Sequence, residues 1–150
     1  MITVSDTRTA GTDTSGRAIA DLLAQGGHRV AGRALVRDEP TQVEAAIRRF
    51  SADPDVQVII LTGGTGISRR DGTYETISRL MEKRLDGFGE LFRMLSYQEI
   101  GPAAMLSRAC AGTLQGRIVV SLPGSENAVR VAMTKLLLPE LGHLVREVGR

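Results

Sequence analysis

The sequence predicts an α/β fold with a mostly parallel sheet and helices on both faces, on three observations. Short β-branched runs alternate with helical patterns along the whole chain. One of those runs, "VQVIIL" from Val56 to Leu61, is almost continuously aliphatic, the pattern of a central strand buried by helices on both sides. Three runs end in polar or glycine-rich loops, "SDTR", "TGGTG" and "LPGS". In sheets of this kind ligands lie outside the carboxyl ends of the strands, so the three loops converge where a ligand would sit.

The elements follow in order. Met1 to Val4 is a short β-prone start, and in the polar loop after it Asp13 or Thr14 caps a helix running to Gln25, with Ala18, Ile19, Leu22 and Leu23 as its apolar stripe. Gly26 and Gly27 stop that helix, and "HRVAGRALV" then alternates Val30, Gly32, Ala34 and Val36 as a strand near an edge. Asp38 reads as the cap of a helix with Pro40 in its first turn and Val43, Ala46, Ile47 and Phe50 at i, i+3, i+4 and i+7. Beyond the glycine loop, helical patterns run from about Tyr74 to Leu85, around Gly89 to Ile100 and from Ala103 to Cys110, separated by Gly87, Gly101, Pro102 and Gly112. A last buried strand, Ile118 to Leu122, leads through a Pro-Gly turn into a helix carrying Val129, Ala132, Met133, Leu136 and Leu137. Pro139 is expected to break it before a final short helix to Val148. With no repeat, linker or low-complexity segment, residues 1–150 read as one domain.

Composition excludes several function classes. Apolar residues at 42% and charged residues at 24% suit a folded globular chain and are too apolar for disorder. The net charge is only +2, and the 17 arginines are scattered rather than gathered into a stripe, so nothing announces nucleic acid. Phe50, Phe88, Phe92, Tyr74 and Tyr97 are too few for base-stacking platforms. Arginine serves small phosphorylated ligands instead. No apolar run approaches the ~20 residues that span a bilayer, so no membrane role is expected, and the single Cys110 points to a reducing, cytosolic compartment. His28 and His143 have no ligand-spaced partners, and Cys110 reads as an inert thiol in a small-residue helix.

The chemistry concentrates in "LTGGTGISRRDGTYET", Leu61 to Thr76. A glycine turn behind a buried strand lets backbone N–H groups approach an anion, and threonine hydroxyls add uncharged donors. "TGGTG", comprising Thr62, Gly63, Gly64, Thr65 and Gly66, is neither a P-loop nor a dinucleotide fingerprint, because no G-K-[ST] and no third spaced glycine follow. Ser68, Arg69, Arg70 and Asp71 come next, guanidinium groups for phosphate beside a carboxylate for a magnesium ion. The alternative is that Asp71 caps the next helix and the arginines form a solvated face. Ser5, Asp6 and Arg8 repeat the theme after the first strand, and Ser125 stands at a helix N-terminus. Ser5 and Ser125 read equally well as turn and cap residues.

Five ordered blocks, "VSDTR", "LTGGTGISRRD", "GFGELFRMLSYQEIG", "LSRACAG" and "LPGSENAV", resemble the MoaB/MogA family of molybdenum-cofactor biosynthesis over essentially the whole chain. The resemblance implies a three-layer α/β/α molybdopterin-binding-domain fold and a cytoplasmic homo-oligomer, trimer or hexamer. It implies binding of molybdopterin and of ATP with Mg2+, and adenylylation of the molybdopterin terminal phosphate with release of pyrophosphate. A non-catalytic molybdopterin-binding or scaffold protein of the same pathway is the other reading, and the pathway's molybdenum-insertion protein is an implied partner. Asp71 and Asp38 match the family's functional acids, here assigned to magnesium and nucleotide positioning. Thr62 to Gly66 match the loop that receives the pterin and its phosphate. Ser5, Asp6, Ser107, Pro123, Gly124 and Ser125 match polar blocks of the same pocket, with Arg70 beside them. Gly72 and Tyr74 depart from the family pattern and are expected to loosen the start of the following helix.

Overall fold

The computed structural model describes residues 1–150 as six strands and six α-helices. The strands are β1 (Ile2–Val4), β2 (Ala34–Val36), β3 (Val58–Thr62), β4 (Lys83–Arg84), β5 (Cys110–Leu114) and β6 (Arg117–Leu122), ordered β2-β1-β3-β6-β5-β4 in one sheet. The first four in that order run parallel, whereas β5 is antiparallel to β6 and β4 to β5. The sheet is therefore mixed.

The alternation of side chains along the central strands explains the three layers. Ile59 and Leu61 of β3 and Val119 of β6 face α2 (Pro40–Ser51) and α3 (Thr73–Leu80), through Val43, Ile47, Phe50 and Ile77. Ile60 of β3 and Ile118, Val120 and Leu122 of β6 face the other way. There they pack on α1 (Thr14–Gln25), α4 (Asp86–Ile100), α5 (Glu126–Ala132) and α6 (Leu138–Val148), through Ile19, Phe92, Val129 and Leu141. Strands apolar on both faces are what a helix-covered parallel sheet requires.

Strand order reverses direction between β1 and β3, because β2 lies on one side of β1 and β3 on the other. Carboxyl-terminal loops diverge at such a point and leave a crevice between them. The loop after β1, the glycine loop after β3 and the Pro-Gly turn after β6 all open into it.

Four expectations are corrected. The edge strand β2 covers only Ala34–Val36, because three-residue β1 offers parallel partners to those residues alone. Cys110 is not helical: Gly101–Leu106 forms a 3-10 turn, and Cys110 opens β5. The β5–β6 hairpin turns through Gln115 and Gly116, with φ of 49° and 71°. Two left-handed residues make the mirror-type turn that suits strand twist, and glycine at only one of them gave a weak signal. The pattern from Tyr74 to Leu85 divides into α3 and the short β4, where Gly112 of β5 lies so close to Lys83 that a Cβ would sit 2.3 Å from its carbonyl oxygen. Pro139 does not break the last helix. A π turn, Met133–Leu137, joins α5 to α6, with Leu138 N–H donating to Met133 O, and Pro139 falls in the first turn of α6, where a missing N–H is tolerated.

Asp13 secures α1 to the sheet. Its Oδ1 accepts from the Gly16 N–H at 2.9 Å and its Oδ2 from the Thr3 hydroxyl of β1 at 2.7 Å, in a buried position. Asp13→Ala is expected to lower the unfolding free energy by about 2–4 kcal/mol, the loss of a cap together with a stranded buried hydroxyl. Urea denaturation followed by circular dichroism measures it.

Candidate functional site

The glycine loop owes its path to backbone that no other residue could follow. Gly63, with φ of 102°, passes β1 so closely that a Cβ would lie 2.1 Å from the Val4 carbonyl oxygen, and its N–H donates to Leu122 O of β6 at 3.0 Å. At Gly64, φ is 67° and a Cβ would lie 2.1 Å from Thr73 Oγ1 and 2.6 Å from Asp38 Oδ2. The loop's carbonyls are engaged: Gly64 O accepts from Thr73 N–H at 3.2 Å, and Thr65 O and Gly66 O both accept from Arg108. The N–H groups of Gly64, Thr65, Gly66 and Ile67, by contrast, donate to no acceptor within the protein. Unpartnered backbone amides along a glycine turn are the kind of donor that anion-binding loops use.

A cavity of about 630 Å³ opens in front of this loop. It is lined by Ser5, Asp6, Asp38, Gly63, Gly64, Thr65, Gly66, Arg70, Asp71, Ser107, Pro123, Gly124 and Ser125, which is every site residue expected from the sequence except Thr62. Thr62 is buried behind the wall, its hydroxyl donating to Pro123 O at 2.8 Å, and so ties β3 to the turn after β6.

The two acids differ. Asp38 does not cap α2, whose N-cap position is Glu39; it is buried, and its Oδ1 accepts from Gly72 N–H and Thr73 Oγ1, each at 3.2 Å. These bonds anchor the start of α3, so Gly72 does not loosen it. Burial pushes the Asp38 carboxyl above the usual carboxylate range, helped by the neighbouring Asp71 and Asp6 carboxylates and opposed by the Gly72 and Thr73 bonds. Asp71 is half-buried and does not cap α3 either, since Gly72 holds that position. Its Oδ2 accepts from Ser68 N–H at 3.0 Å and closes the loop on itself.

The hydroxyls of the other loops face the cavity but also hold local turns. Ser5 Oγ accepts from the N–H groups of Thr7 and Arg8, Ser107 Oγ from Ala109 N–H, and Ser125 Oγ caps α5 by accepting from Ala128 N–H. Arg70 spans the mouth, donating to Asp6 Oδ2 from Nε and Nη2 and to Glu39 Oε1 from Nη1 at 2.9 Å. That guanidinium holds the Asp6 carboxyl below its usual range. Arg8 donates to Gly124 O at 2.7 Å and to the Ser15 hydroxyl, joining the loops after β1 and β6.

Sequence reasoning missed the wall formed by Phe92, Ser96 and Ile100 of α4 with Leu106 and Ala128, apolar except for Ser96. The i, i+4, i+8 spacing of the first three was its available signal. No group of three or more His, Cys, Asp or Glu side chains is arranged to hold a metal by itself. Asp38 and Asp71 could hold a magnesium ion that took its remaining ligands from phosphate oxygens and water, its usual habit in nucleotide sites. A smaller hollow of about 280 Å³ at the amino ends of the strands, between α1, α2 and α6, is lined mainly by apolar residues and lacks the glycine loop and its acids.

A doubly wound sheet with unpartnered loop amides and two acids at its switch point has the architecture in which α/β proteins hold ligands. Residues 1–143 match the family model described as "Probable molybdopterin binding domain", and the chain belongs to that family of molybdenum cofactor biosynthesis proteins. It is 48% identical over 151 residues to molybdenum cofactor biosynthesis protein B of Bacillus cereus, covering 100% of this chain and 89% of that protein. A crystal structure of a molybdenum cofactor biosynthesis protein B superposes with a TM-score of 0.97 at 49% identity, covering 99% of this chain and 93% of that one. The tungsten cofactor synthesizing protein MoaB from Pyrococcus furiosus superposes with a TM-score of 0.84 at 40% identity, covering 99% and 94%.

The raised pKa of Asp38 fixes the sign of a pH effect. A carboxyl that is harder to ionise in the folded state contributes stability below its unfolded pKa of about 3.9, and that increment is lost as pH rises through the folded value. Asp38→Asn keeps the Oδ1 acceptor and never ionises. Its stability relative to wild type is therefore expected to improve as pH rises from about 3.5 and then to level off once Asp38 is fully ionised, as denaturant titrations across that range would show.

Proposed function

We propose that this protein binds molybdopterin in the 630 Å³ cavity and adenylylates its terminal phosphate with ATP and Mg2+. The observation that carries this reading is the row of unpartnered amides from Gly64 to Ile67, set between Asp38 and Asp71. The terminal phosphate sits on those amides, with Thr65 and Ser107 offering hydroxyls and the pterin lying toward Phe92 and Ile100. An oxygen of that phosphate attacks the α-phosphorus of ATP. The new P–O bond gives the adenylylated pterin as the bond to the bridging oxygen breaks and pyrophosphate leaves. Both reactants are polyanions, so the chain has to position them and neutralise their charge more than supply a strong base. Asp71 and Asp38 would hold the magnesium, which neutralises phosphate charge when bound. Asp6, Pro123, Gly124 and Ser125 complete the wall, and Arg70 would exchange its carboxylate partners for phosphate.

A binding or scaffold role without turnover is the second reading. The observation in its favour is that Arg70 and Asp38 already have partners within the protein. Incubating purified protein with molybdopterin and Mg-ATP and separating the products by chromatography decides between them. Adenylylated pterin is expected from wild type, with turnover lowered by about 10²–10³-fold in Asp71→Asn. Pterin bound but never adenylylated would leave only the binding role.

We place the protein in the cytosol, in keeping with its one buried free cysteine and with the absence of any helix long and apolar enough to cross a membrane. We also propose a homo-oligomer, trimer or hexamer, assembled through α4 and the turn after it. There Leu91, Met94, Tyr97 and Met105 are exposed outside the cavity, an apolar surface that a monomer would leave in water. The molybdenum-insertion protein is the proposed recipient of the product. Light scattering after size exclusion is expected to give a multiple of the 16.1 kDa chain mass, and Tyr97→Glu to reduce it toward the monomer.

A further inference from the structure

We propose that Arg108 is the positioning residue of the glycine loop, a guanidinium clamp behind the anion receptor that turns the loop's amides toward the cavity. The inference rests on reading the amides of Gly64 to Ile67 as that receptor.

Arg108 lies in the connection before β5, next to Ser107 of the cavity wall, and reaches the loop from its outer side. Its Nε donates to Thr65 O at 3.1 Å, and its Nη2 donates to Gly66 O and, at 3.4 Å, to Asp71 O. Its Nη1 donates to Glu75 of α3, and the guanidinium carbon lies 4.9 Å from the centre of the Tyr74 ring. One planar fork thus holds three loop carbonyls and is itself fixed by a carboxylate and an aromatic face.

The direction of the amides follows from peptide geometry. In a planar trans unit the carbonyl and the N–H point opposite ways. Fixing Thr65 O and Gly66 O on Arg108 therefore turns the N–H groups of Gly66 and Ile67 away from it. Thr73, which donates to Gly64 O, does the same for the Thr65 N–H. A cation at the carbonyl end also polarises each unit and strengthens the N–H as a donor. Lysine offers a point charge on a flexible stem and cannot span the same oxygens.

The test uses backbone amide NMR of wild type, Arg108→Gln and Arg108→Lys, with inorganic pyrophosphate as the probe. Arg93→Gln serves as control, because Arg93 reaches Ala109 O at 3.5 Å and not the loop. Pyrophosphate is expected to shift the Gly64–Ile67 amides of wild type and control. In both Arg108 variants those amides should broaden and exchange faster with solvent, and pyrophosphate affinity should fall about tenfold or more, with no rescue by lysine. If Arg108→Gln does not fold, Arg108→Lys carries the comparison. Unchanged loop exchange and unchanged affinity in a folded Arg108 variant would overturn the proposal, as would an equal loss in Arg93→Gln. A loosened loop in the variants with no amide shift in wild type would keep the clamp and overturn the phosphate-receptor reading.

Discussion

The approach of Gly63 to β1 is the contact on which the site depends. With its Cα against the Val4 carbonyl there is no room for a side chain, so the chain leaving β3 turns immediately instead of continuing over β1. That turn brings Gly64 against Asp38 and Thr73, which draws in the start of α3 and the end of the β2 connection. Four segments distant in sequence meet within one loop because two consecutive residues lack a Cβ. A side chain at either position would have to displace backbone or a buried carboxylate, and both lie in the sheet's own framework.

Asp38 shows the cost of that arrangement. A buried carboxyl beside two other acids is unfavourable in its ionised form, and two neutral-donor hydrogen bonds offset only part of this. Asp71 is half-buried and closes its own loop through Ser68 N–H. The pair is therefore asymmetric before any ligand arrives: one acid held in the framework, one in a loop open to solvent. A divalent cation between them would relieve the repulsion at Asp38, so binding energy and the removal of a folded-state penalty would act together.

Much of this was legible in the residues. The β-branched runs of β3 and β6, the apolar spacing of α1 and α2, and the glycine loop behind a buried strand follow from local chemistry that tertiary contacts only reinforce. What escaped were features created by partners far away in the chain. "ACAG" has helix-forming alanines, yet it becomes β5 because Gly112 permits the close approach of Lys83 and because β6 offers a full ladder of backbone partners. Asp38 has the position of a cap, yet turns to Gly72 and Thr73, 34 and 35 residues on. Thr62 belongs to the glycine motif, but strand alternation sends its hydroxyl behind the wall. Whether a polar residue faces the ligand or the framework depends on pleat and register, which a motif does not encode.

The arginines carry the same lesson into electrostatics. Guanidinium groups in a phosphate site suggest direct ion pairing, yet near this cavity Arg8 is bound to Gly124 O and Ser15, Arg70 to Asp6 and Glu39, and Arg108 to loop carbonyls and Glu75. Their charge holds loops together, and the amides of the glycine loop are left without partners inside the protein. Fixed amides in a sheltered crevice discriminate by geometry, since only an oxyanion of the right size meets several at once, whereas free guanidinium groups would attract any polyanion in solution. Arg8, Arg70 and Arg108 thus direct their charge to loop carbonyls, a hydroxyl and neighbouring carboxylates, and the loops around the cavity are fixed by it.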